Sequence, residues 1–332
     1  MTGKEKDISR FLRSRGGSLL IGAVGLGGAC AAALCGWITD VKAAAADFGG
    51  LLVHSGLPSM TAELSLALSA VAMVAVAVMM VLVNRTFNLL RTSSVLLGGL
   101  YLLMQCSVPE VSARFVPGTA LALLALTVIA LLYSCYQRPD RTQTVFLAFF
   151  LCTAASMVQA AALIYLPVLL AGCIQMRSFT VRSVVGATLG VVTPFWLLLG
   201  FYPEGFRGLY LPDVWFSPSM FLTGDFLSPL AATVAFLLVW CTIMLMHNLY
   251  RVYSYNARAR ALNGLMASMT VATMVLAVVY FGAPDSYLPP LMCFTAIQTA
   301  LFFRINYERR SYIWVLSLAG VCAVLYIWNI WI

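Results

Sequence analysis

The chain has 332 residues, of which 62% are hydrophobic and only 10% charged, with a mean hydropathy of +0.93; a water-soluble domain carries about 25% charged residues. That composition excludes a soluble globule. The net charge of +8 does not indicate nucleic-acid binding either, because the basic residues are spread over short segments between apolar runs and form no single folded basic face.

Ten stretches contain no Asp, Glu, Lys or Arg: 16–39, 64–84, 92–109, 115–137, 142–176, 183–203, 226–250, 261–284, 286–303 and 311–332. A helix needs about 20 apolar residues to rise through roughly 30 Å of hydrocarbon, so each stretch is long enough to cross a bilayer. Residues 1–17 form a basic N-terminal segment, and 18–332 are expected to be a single transmembrane domain. The first apolar run is too long for a cleavable signal and is expected to persist as the first helix. Its small residues Gly25, Ala29, Ala33 and Gly36 share one helical face, which lets a neighbouring backbone approach closely.

The connection 39–64 places Asp40, Asp47 and His54 at seven-residue intervals, on one face of a continuous helix. Two readings fit: an interfacial amphipathic segment with a wetted polar face, or carboxylates held at the membrane surface, where Asp40 or Asp47 serves as general base toward an acceptor hydroxyl. The turn Asn84-Arg85-Thr86-Phe87-Asn88 is polar and basic; it either caps helix ends or recognises a phosphate.

At 35 residues, 142–176 is too long for one straight crossing and is expected to be a hairpin turning near Met157 to Ala160. Gln159 then sits near the tip, where it either caps its own turn or faces a recess. Gly186 and Gly190 continue the small-residue pattern in the next helix, followed by Pro194, which is either part of that packing seam or a hinge. The connection 202–226 combines Glu204 and Arg207 with Tyr210, Trp215 and further aromatics. Amphipathic rings gather at membrane interfaces for that reason alone; the sharper reading has Tyr210 and Trp215 stack on a sugar or lipid head while Arg207 holds a phosphate.

Short loops rich in Lys and Arg stay in the cytoplasm, and this rule tests the hairpin. With it there are eleven helices, and 17 basic residues fall on one side against only Lys42, Arg114 and Arg207 on the other; treating 142–176 as one helix gives ten against ten. The expected fold is therefore all-α, a polytopic bundle of about eleven transmembrane helices with a cytoplasmic N-terminus and an outer C-terminus. Asp40, Asp47, Glu63, Glu110, Glu204, Asp213, Asp225 and Asp285 fall on the outer side, so any functional surface is expected to face outward. The apolar runs hold no intramembrane carboxylate, lysine or central histidine, which disfavours an ion-coupled pump. The nine cysteines are scattered and the two histidines lie on opposite sides; no metal and no cofactor is expected.

The Asn84 to Asn88 turn, the 142–176 hairpin followed by Arg177 and Arg182, and the helix with Gly186, Gly190 and Pro194 together resemble an uncharacterised group of inner-membrane proteins from Bacteroidota. That resemblance implies a multi-pass protein of the bacterial inner membrane and no catalytic residues. An architectural similarity to C-type integral-membrane glycosyltransferases, which use polyprenyl-phosphate sugars, rests on the acidic residue in the first outer loop. It implies Asp40 or Asp47 as base; His54, Glu204, Arg207, Tyr210 and Trp215, singled out by residue type in the outer loops, are the expected binding residues for a polyprenyl- or lipid-linked sugar. The alternative is a non-enzymatic lipid or small-molecule transporter, or a scaffold with envelope protein partners.

Overall fold

The computed structural model describes residues 10–11, 14–34, 62–89, 95–201, 229–252, 255–305 and 312–331. All regular structure among them is helical. The helices are α1 (Arg15–Leu34), α2 (Ala62–Phe87), α3 (Val95–Cys106), α4 (Pro117–Ser134), α5 (Thr142–Val158), α6 (Tyr165–Gln175), α7 (Val181–Phe201), α8 (Pro229–Val252), α9 (Ala257–Val279), α10 (Pro284–Ile305) and α11 (Tyr312–Trp331). A single turn, Pro109–Ser112, follows α3, and a 3-10 turn, Ala160–Ile164, leads into α6.

Among the described residues seven helices, α2, α4 and α7 to α11, are long and apolar enough to cross a membrane, and α3, α5 and α6 are shorter. The chain is therefore a helical bundle of the multi-pass membrane class. Large apolar side chains stand exposed along α2, α7, α8 and α11, as lipid-facing surfaces require.

The long charge-free stretch is broken where the sequence places the turn. Helix α5 ends at Val158, and Gln159 is extended at φ −139° and ψ 104°. The chain then returns: the Gln137 N–H donates to the Met176 carbonyl at 2.9 Å, and Cys152 Sγ donates to the Ala162 carbonyl at 3.1 Å. Gln159 makes no side-chain cap on the turn it precedes. Its Nε2 reaches across to the Ser286 carbonyl of α10, a long bond of 3.5 Å. The reason lies in α10, whose Pro289 and Pro290 have no N–H to offer the carbonyls of Asp285 and Ser286 four residues earlier.

Helix α10 is the hub. Leu288, Leu291, Met292, Cys293, Phe294 and Ala296 are all 0% exposed. With lipid on every side there is little hydrophobic drive between helices, so association depends on close contact and hydrogen bonds. Glycines provide the contact. A Cβ at Gly118 would lie 2.5 Å from the Asp285 carbonyl oxygen, one at Gly190 2.6 Å from that of Phe146, and one at Gly25 2.9 Å from the Leu102 backbone. The expected seam of α7 is thus a packing seam against α5, and Pro194 lies inside a helix that continues to Phe201. On α1, Gly25 does pack as expected, joined by Gly22; the side chains of Ala29 and Ala33, and Gly36, lie outside the described residues.

Hydrogen bonds also span the helices where the sequence offers neutral polar residues. Asn248 Nδ2 donates to Gln298 Oε1 at 2.8 Å, and Gln298 Nε2 donates to Thr270 Oγ1 at 2.9 Å. Gln175 Nε2 donates to Ser268 Oγ at 3.1 Å. Of the eight described cysteines, seven are buried among packed side chains and Cys30 is exposed; Cys35 lies outside the described residues. The Asn84 to Asn88 turn is the end of α2, with Thr86 Oγ1 bonded to the Leu82 carbonyl at 2.8 Å and Asn88 in the left-handed region at φ 53°, a conformation asparagine tolerates at helix ends.

Candidate functional site at the acidic end

Contacts distant in sequence sort the helix ends into two groups. Arg114 meets Asp285, the Phe115 N–H donates to Ser65 Oγ at 2.9 Å, and Ser69 Oγ donates to the Ser112 carbonyl at 2.7 Å. Asn329 Nδ2 donates to the Ser107 carbonyl at 3.1 Å and to Thr233 Oγ1 at 3.3 Å. These place the start of α2, the link after α3, and the starts of α4, α8 and α10 at one end, together with the close of α11 and the hairpin tip. At the opposite end Tyr133 Oη donates to the Leu262 carbonyl at 2.8 Å, and the Phe87 and Tyr133 rings meet edge-on at 5.1 Å.

Charge follows the same division. The first end carries Glu63, Glu110 and Asp285, with Arg114 as its one basic residue among the described side chains; the other carries Arg10, Arg85, Arg138, Arg141, Arg177, Arg182, Arg251, Arg258 and Arg260 against Asp140 alone among those side chains. Helix α1 runs beside α3 in the same direction, Gly22 near Gly99 and Gly25 near Leu102, and α7 likewise follows α5, Gly186 near Thr142 and Gly190 near Phe146. Both therefore finish at the acidic end, where α2 and α8 begin.

The acidic end has a firm floor. The turn Pro109–Ser112 has Pro109 at its first position, where a missing N–H costs nothing, and Val108, Val111 and Val116 are each 1% exposed. On this floor Arg114 Nη2 donates to Asp285 Oδ2 at 2.7 Å and to Oδ1 at 2.9 Å, with Glu110 3.8 Å away. Asp285 lies in the first turn of α10, where a carboxylate also complements the helix dipole. Gly118 completes the arrangement because any larger residue would collide with the Asp285 and Ser286 carbonyls.

Beneath the floor, Tyr101 and Gln105 stand one turn apart on α3, at 0% and 1% exposure. Neither the Tyr101 hydroxyl nor either amide atom of Gln105 has a partner among the described residues. Buried polar groups left unpaired cost about 1–3 kcal/mol each. The arrangement can anchor and orient a polar group at the bundle surface. Among the described residues it brings no nucleophile and base into contact.

The residues singled out from sequence, Asp40, Asp47, His54, Glu204, Arg207, Tyr210 and Trp215, all lie outside the described residues. Arg114 and Asp285 were assigned to one side by their charge and the helix count, but nothing in the sequence pairs residues so far apart. The adjacent Pro289 and Pro290 in an apolar run were the available signal that α10 begins with free carbonyls. Among the described residues no three of His, Cys, Asp and Glu gather as a metal set. No family model matches the chain, and neither a curated protein nor a solved structure matches it.

Proposed function

We propose that the chain is a multi-pass protein of the bacterial inner membrane that handles a polyprenyl- or lipid-linked sugar at the outer face during envelope glycoconjugate assembly, as a C-type-like glycosyltransferase. The acidic end is the outer face in this reading, since the end with nine described arginines is held in the cytoplasm by the positive-inside rule. One observation supports it: α1 and α7 end, and α2 and α8 begin, at the acidic end, which in this reading brings Asp40, Asp47 and His54 to the same surface as Glu204, Arg207, Tyr210 and Trp215. A base and a phosphate-binding arginine would then meet over the Arg114–Asp285 floor, at the level where a lipid-linked phosphate resides.

In the mechanism this implies, Asp40 or Asp47 accepts the proton of the acceptor hydroxyl as it attacks the sugar, and Arg207 steadies the departing phosphate. Asp40→Asn, Asp47→Asn and Glu204→Gln, made singly and matched for membrane expression, test it through the envelope glycan profile. Loss of one glycan in at least one aspartate variant is expected; a full profile in all three rejects a carboxylate-catalysed transferase. A second reading, a scaffold subunit of an envelope complex, is favoured by the close packing around α10.

A further inference from the structure

We propose that loops 135–141 and 176–182, at the basic end, form a binding site for the phosphodiester headgroup of an anionic phospholipid, with Arg138, Arg141, Arg177 and Arg182 as its cationic wall and Phe179 set into the acyl layer beside it.

The two loops are one unit. The Gln137 N–H donates to the Met176 carbonyl at 2.9 Å, and α5 and α7, which start directly after them, are so close that a Cβ at Gly186 would lie 2.8 Å from Thr142 Cγ2. Four guanidinium groups therefore share a small area with a single carboxylate, Asp140, and Arg138, Arg177 and Arg182 are exposed. None of the four forms an ion pair among the described residues.

The local backbone is arranged around these arginines at a cost to itself. Helix α6 closes with the Arg177 N–H on the Ile174 carbonyl at 3.0 Å and the Ser178 N–H on the Cys173 carbonyl at 3.1 Å, the paired closure that calls for a left-handed residue and normally glycine. Arg177 occupies that position at φ 55°. Strain of this kind persists where the side chain is needed. Helix α7 opens on a reciprocal cap, the Thr180 N–H to Ser183 Oγ at 2.7 Å and the Ser183 N–H to Thr180 Oγ1 at 3.2 Å. The position that usually carries an acid in such a cap is thus neutral. Neither α5 nor α7 has an acidic residue in its first turn, and only α5 has a carboxylate, Asp140, just before its N-cap, so the positive end of the α7 dipole has none in the adjoining loop.

A free phosphate would be served by the charges alone. Phe179, 50% exposed between Arg177 and Arg182, and Val181, 82% exposed, add an apolar surface that runs on through Val184 and Val185 along α7. Cations beside an apolar face fit a molecule with phosphate above and hydrocarbon below.

The test uses the full-length protein in phosphatidylcholine nanodiscs supplemented with phosphatidylglycerol, with bound lipid counted by native mass spectrometry and melting followed in parallel. Retained phosphatidylglycerol and a raised melting temperature are expected. Arg177→Gln with Arg182→Gln should weaken retention about tenfold or more, whereas Arg258→Gln with Arg260→Gln, at the same end but on α9, should change it less than about twofold. Arg177→Gly separates the lipid role from a structural one: it relieves the left-handed strain, so melting without phosphatidylglycerol should hold or rise while retention falls. Equal retention in wild type and the Arg177/Arg182 pair would overturn the proposal, as would equal losses in both pairs. Displacement of the lipid by millimolar inorganic phosphate would overturn it too, in favour of a free-anion site.

Discussion

Arg114 and Asp285 are 171 positions apart, yet their contact holds together the surface on which the proposed chemistry depends. Their side chains are 26% and 32% exposed, so water screens part of the attraction, and a coupling of about 1 kcal/mol is expected. A double-mutant cycle with Arg114→Ala and Asp285→Ala, read from detergent melting, should show the double variant no less stable than the worse single one. Fully additive losses would mean that the pair does not form. At this scale the sequence is legible for charge and side but not for partners. It places both residues in gaps between apolar runs on the same side, whereas the bond depends on Gly118 letting α4 reach the α10 carbonyls.

At the scale of elements, the hairpin and the small-residue seams are readable because they follow from length and spacing. A 35-residue apolar run cannot be one crossing, and Gly186 and Gly190, four apart, must share a face. The role of Gln159 is not readable. It depends on which helix stands opposite, and that helix has two prolines where a donor from outside is useful. The seam carries its own prediction. A valine at Gly190 would place its branched carbons against the Phe146 carbonyl and the Phe149 Cβ, which lie 2.6 and 2.9 Å from even the first added carbon. Gly190→Val should therefore separate α5 from α7 and cost about 2 kcal/mol or more, while the same change at Gly200, whose added carbon would meet none of the described residues within 4 Å, should be close to neutral. Similar melting of the two variants would contradict the seam.

For the whole molecule, hydropathy and charge define an all-helical membrane bundle with unlike ends, and the contacts reproduce that division without reference to either. Candidate chemistry is less legible. Asp40, Asp47 and Arg207 stand out only by residue type and by lying between helices that open at one end, and composition has no term for their mutual distance. The central claim is that the acidic end faces outward and the basic end inward. Single cysteines answer it directly, with Cys30 and Cys35 replaced by alanine and a membrane-impermeant maleimide applied to intact spheroplasts. Asp47→Cys and Glu110→Cys should label at once, and Arg138→Cys and Phe179→Cys only after permeabilisation. Labelling of Glu110→Cys and Phe179→Cys from the same side, or the reverse order, would contradict the account.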